Sequence, residues 1–153
     1  MTSGPAQRDL FTKRFRKIKA PDPHEFQIQI SLIQRLGYMA LPNCVYFHIP
    51  NGELRDKAIA KKLKAMGELA GVLDLEFIWN DETGRLRVLF LELKARDGVL
   101  EEGQSEFITR VGRLGCETAV AYSIDQAVAI LEEKGILTKR LQPRQKIYNS
   151  MVR

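Results

Sequence analysis

The sequence predicts an α/β fold, a mixed β-sheet with flanking helices, and three observations predict it. Apolar periodicity changes along the chain in the order helix, strand, helix, hairpin, helix, strand, helix. Two apolar runs, Gly71 to Trp79 and Val88 to Lys94, are joined by the turn cluster Asn80 to Gly84 and so pair as a hairpin. A helix then separates the second run from a last strand, and a right-handed crossover of that kind makes those two strands parallel.

At 153 residues the chain is long enough for one domain with its own core. Charge divides it into three parts. Residues 1–21 form a basic arm, with Arg8, Lys13, Arg14, Arg16, Lys17 and Lys19 against Asp9, and residues 138–153 form a basic tail without an acidic side chain. The net charge is +5, so residues 22–137, the expected folded domain, are acidic. Such tails suit arms that grip phosphates, and equally suit solvated termini. No apolar run approaches the roughly 18 residues of a spanning helix, and the start lacks the apolar core of a signal peptide. A soluble, cytoplasmic protein without membrane association is expected. Cys44 and Cys116 lie far apart with no Cys-x-x-Cys, and His24 and His48 complete the histidines, which argues against a zinc site. The glycine patterns of nucleotide-binding loops and of serine hydrolases are missing.

Taken in order, Asp22 as N-cap and Pro23 at the first helical position open a helix to about Leu36, with Gly37 beyond its end. Glu25 can close a capping box on Asp22, or it can share the inward stripe Glu25, Gln29, Leu32 and Leu36. Cys44 to Ile49 reads as a short strand stopped by the turn Pro50, Asn51, Gly52. Over 54–66 the spacing predicts a helix with Ile59, Leu63 and Met66 on its core face. Lys57, Lys61 and Lys64 lie on another face, either solvated or tracking a nucleic-acid backbone. After the hairpin, Gln104, Phe107, Ile108 and Val111 share one helical stripe, and Gly115 ends that helix. Glu117 to Tyr122 is the last strand; Ser123 and Gln126 cap a final helix from Asp125 to Lys134, closed by Gly135.

The chemistry concentrates in the strand Val88 to Lys94. Leu89, Leu91 and Leu93 line one face, while Val88, Phe90, Glu92 and Lys94 line the other, so both faces read as buried. A carboxylate and an ammonium placed there are costly unless paired, hydrogen-bonded or bound to a metal. They form either an internal salt bridge or part of a site. If even positions of the hairpin pair with even positions, Asp74 and Glu92 share a face, close enough for two carboxylates to hold one divalent cation. A slip of one residue would separate them.

Asp74 followed by Glu92, Leu93 and Lys94 resembles the PD-(D/E)XK nuclease superfamily. His48 to Glu53, the step from Gly71 to Asp74, and Gln104 after the Gly98 loop resemble its VRR-NUC branch, over about residues 24 to 131. One departure is Leu73, where that branch usually has proline. The resemblance implies a restriction-endonuclease-like core and a Mg²⁺- or Mn²⁺-dependent deoxyribonuclease. It implies Asp74, Glu92 and the Leu93 backbone carbonyl as metal ligands, and Glu25 near the metal directly or through water. Lys94 would orient the attacking water or stabilise the transition state, and Gln104, otherwise a helix cap, would position Lys94 or the water. His48 and Asn51 would face substrate, with DNA also met by Lys57, Lys61, Lys64, Arg14 and Lys17. Small stand-alone members act on branched DNA, including four-way junctions, whose near two-fold symmetry implies a homodimer with one site per chain. The rival expectation is a nucleic-acid-binding domain on the same fold that does not cleave.

Overall fold

In a computed structural model that describes residues 23–50 and 56–138, the elements follow the expected order. They are α1 (Pro23–Met39), β1 (Cys44–His48), α2 (Lys57–Ala65), β2 (Leu75–Asn80), β3 (Leu86–Leu93), α3 (Glu102–Arg113), β4 (Glu117–Ala121) and α4 (Ile124–Glu133). Asp22, the basic arm with Arg14 and Lys17, Asn51, and the tail from residue 139 lie outside the described residues. Among the described residues the strands form one mixed sheet in the order β1-β2-β3-β4. The pairs β1–β2 and β2–β3 are antiparallel, and β4 runs parallel to β3 as the crossover requires.

Alternation along the strands decides what is buried. Leu75, Phe77 and Trp79 of β2 and Leu89, Leu91 and Leu93 of β3 are at most 3% exposed, and pack beneath Leu32 and Leu36 of α1 and Ala127 and Leu131 of α4. Each such burial contributes about 1.5–3 kcal/mol. The opposite face is covered only in part. There Phe107 of α3 meets Phe90 edge to face at 5.0 Å between ring centroids, while Val88 and Phe90 are half-buried and Val45 and Phe47 are exposed. Both faces of β3 were expected to be buried; the second is closed mainly at the end that holds Glu92.

Three local expectations need correction. α1 passes through Gly37 to Met39, because Gly37 is itself buried and the inward stripe continues from Leu36 to Ala40. Residues 71–74 are not strand: Gly71 turns at φ +83°, and Asp74 bends into β2 while using its own side chain on β3. Finally, α2 has no buried residue; Ile59 is 52% and Met66 72% exposed, and the inner face of the sheet is covered by α1 and α4 instead. Its N-cap is Asp56, whose Oδ1 accepts from the Ala58 amide at 2.7 Å. No helix among the described residues is long and apolar enough to cross a membrane.

Candidate functional site

The hairpin register answers the parity question. Leu75 pairs with Leu91, Glu76 with Phe90 and Phe77 with Leu89, so even positions meet even positions, and Asp74 and Glu92 stand on one side at the open end of the ladder. Asp74 is fixed twice over. Its Oδ2 accepts from the Leu93 amide at 2.8 Å, and its carbonyl accepts from the Ile49 amide and from His48 Nδ1, each at 2.9 Å. His48 therefore supports the backbone that carries Asp74.

Glu92 is 2% exposed, the one buried charged residue among those described. Its Oε1 accepts from Lys94 Nζ at 2.7 Å and from Gln104 Nε2 at 2.5 Å. Its Oε2 is buried and has no hydrogen-bond partner. A buried carboxylate oxygen left in that state is costly. Gln104 caps α3, its Oε1 accepting from the Glu101 amide at 2.9 Å, and its Nε2 donates to Glu92 rather than reaching Lys94. Likewise Glu25 reaches inward from α1, and its Oε1 accepts from the Ala95 amide at 2.9 Å, just past β3. Lys57, Lys61 and Lys64 are exposed on α2.

Electrostatics couples the cluster. Burial, then the charge of Asp74, pushes the Glu92 carboxyl up to about 7, against the pull of Lys94 and Gln104. Burial also raises Asp74, opposed by the Leu93 amide and by Lys94. For Lys94 burial works downward, but the hydrogen bond to Glu92 and the charges of Glu92, Glu25 and Asp74 outweigh it, so its pKa is raised and the ammonium stays charged. A testable pH dependence follows. Glu92 titrates higher in the folded chain than its ordinary value of 4.5, so its contribution to stability is fully present below about 4.5 and is lost as pH rises through about 7. In EDTA, urea unfolding of the wild type relative to Glu92→Gln should lose about 2 kcal/mol between pH 5 and pH 8. A difference that stays flat across this range would contradict the assignment.

Among the described residues no three His, Cys, Asp or Glu side chains come together as a ready-made metal cage. A small hard cation does not need one, because Mg²⁺ is usually held by one or two carboxylates with water and substrate phosphate. Asp74, the spare Oε2 of Glu92 and the Leu93 carbonyl are oxygen donors of that kind, and the unsatisfied Oε2 is the feature a cation would relieve.

Sequence reasoning missed the contact that fixes these parts to one another. A Cβ built on Gly71 would fall 2.3 Å from the Gly103 carbonyl carbon and 2.9 Å from the Gln104 amide nitrogen. The chain entering Asp74 thus lies directly on the first turn of α3. Glycine immediately before Gln104 was the available signal.

No family model matches the chain, and neither does any curated protein. A solved structure described as "VRR_NUC domain protein" is similar in fold, with a TM-score of 0.56 at 21% sequence identity, covering 72% of this chain and 86% of that one. The likeness shows that the two chains share an α/β fold.

Proposed function

We propose that this chain is a metal-dependent deoxyribonuclease that hydrolyses phosphodiester bonds within DNA and selects branched structures, four-way junctions among them. The observation that carries the reading is Glu92: buried, bonded through one oxygen to Lys94 and Gln104, and left with its other oxygen unsatisfied beside Asp74. A structural ion pair would not require that vacant oxygen.

When bound, Mg²⁺ or Mn²⁺ supplies Lewis-acid neutralisation of charge building on the phosphate and acidifies water. The chain's own residues do the rest. Asp74 is held in place by the Leu93 amide, and Glu92 by Lys94 and Gln104. Lys94 stays protonated, so it acts as a donor, giving one N–H to Glu92 and keeping others for the attacking water or a phosphoryl oxygen. Gln104 keeps Glu92 in register. Exposed lysines of α2 meet the DNA backbone. Matched nicks across a junction call for two such sites, hence a two-fold homodimer.

The test is a nicking assay on a labelled four-way junction and a linear duplex, with Mg²⁺, Mn²⁺ or EDTA, for the wild type and Lys94→Ala. Metal-dependent junction cuts that fall by about a hundredfold or more in Lys94→Ala are expected. Cuts on linear duplex alone would remove junction selectivity. Metal-independent DNA binding without cleavage by folded protein would replace the enzyme with the binding-domain reading.

A further inference from the structure

A cleft of about 480 Å³ opens where α1, the turn at 95–98 and the residue after β4 meet. Glu25 belongs to both places: it lines the cleft and bonds the Ala95 amide. The other polar lining comes from His24, Arg96, Asp97 and Tyr122. The volume falls in the range of small-ligand pockets and is too small for a duplex.

The walls are held by the same elements that hold the site. Gly98 N donates to the Ala95 carbonyl at 2.8 Å and closes the turn, and a Cβ on Gly98 would lie 3.1 Å from Lys94 Cβ, so the turn rests on the Lys94 stem. The Tyr122 backbone is held by its amide, which donates to Gln126 Oε1 at 2.8 Å, and the residue is 38% exposed. Arg96 is exposed and makes no ion pair among the described residues. Glu25 and Asp97 outnumber Arg96 in its wall, so the interior does not favour a phosphate. An uncharged nucleobase suits it better, offering amino or imino donors to carboxylates and a flat face to an aromatic ring.

We infer that this cleft receives one unpaired nucleobase adjoining the scissile phosphate, stacked on Tyr122, with Arg96 on the backbone phosphate next to it. The inference rests on the nuclease reading and names the part of the substrate that confers its selectivity. A base inside a duplex is stacked on both faces and must be extruded to enter, whereas a base at a branch is already free. DNA with an unpaired nucleotide at the cut is therefore preferred.

The test uses the full chain with Ca²⁺ in place of Mg²⁺, and anisotropy of a labelled paired duplex and of the same duplex with a short thymidine branch. Wild type and Tyr122→Phe should bind the branched DNA roughly ten- to a hundredfold more tightly, and in Tyr122→Ala and Arg96→Ala that ratio should fall toward one. A 2-aminopurine at the branch should be quenched on binding wild type and not on binding Tyr122→Ala. An unchanged ratio in Tyr122→Ala, or no preference in the wild type, overturns the inference. Cleavage that persists alongside such a result leaves the nuclease reading standing. Conversely, a Tyr122-dependent preference without cleavage in Mg²⁺ supports the base pocket and rejects the nuclease.

Discussion

Glu92→Gln is expected to abolish metal-linked stabilisation of the chain and to lower metal-dependent nicking by at least about a thousandfold. The amide can keep the contacts of Oε1 with Lys94 and Gln104, but it carries no charge into the position of Oε2. A cation at a hundred times its dissociation constant raises wild-type stability by about 2.7 kcal/mol, which appears as a higher unfolding temperature. The variant should show no such rise. In EDTA at pH 8 it should be at least as stable as the wild type, because burying an amide costs less than burying a carboxylate. Lost activity therefore cannot be assigned to unfolding. Equal thermal shifts by Mg²⁺ or Mn²⁺ in both chains would remove Glu92 from the ligand set.

The second large effect is predicted at Gly71. Gly71→Ala should cost about 3 kcal/mol or more, a fall of roughly 10 °C in unfolding temperature, and should also depress activity. Two terms add. A side chain at φ +83° is strained by about 1–2 kcal/mol, and its Cβ would overlap the Gly103 carbonyl and crowd the Gln104 amide. Gly84 supplies the control, because it has φ +80° and nothing within 4 Å of a built Cβ. Gly84→Ala should lose only the strain. Equal losses in the two variants, measured by thermal unfolding, would mean that the contact between the Asp74 approach and α3 carries no weight.

Much of the architecture was legible because it depends on local periodicity. The element order and the parallel β4 can be read from spacing alone, whereas the hairpin parity and the choice of Glu25 between cap and inward stripe stay open in the sequence and are fixed only by the fold. What was not legible depends on which surfaces are already taken. The apolar residues at 59, 63 and 66 have the spacing of a core helix, yet Ile59 and Met66 are exposed, and the inner face of the sheet is covered by α1 and α4 instead. Gln104 could be read as a cap or as a site residue, and only three-dimensional placement shows one amide serving both Glu101 and Glu92. At the last helix, Ser123 Oγ accepts from the Gln126 amide as a capping box requires, but the Gln126 side chain turns to the Tyr122 amide. Pattern recognises the residues; competition for partners assigns them.

The distances along the chain between site residues have a consequence for how the site assembles. Asp74 and the Leu93 amide are 19 residues apart on one hairpin, and Glu92 and Gln104 are 12 apart, whereas Glu25 meets Ala95 across 70 residues. Loop closure costs less for the short spans, so the two hairpin carboxylates are expected to come together before α1 docks. Local opening follows the same hierarchy in reverse. When α1 frays from the Ala95 amide, Asp74 and Glu92 stay in register, and native-state hydrogen exchange should find the β2 and β3 amides protected longer than those of α1.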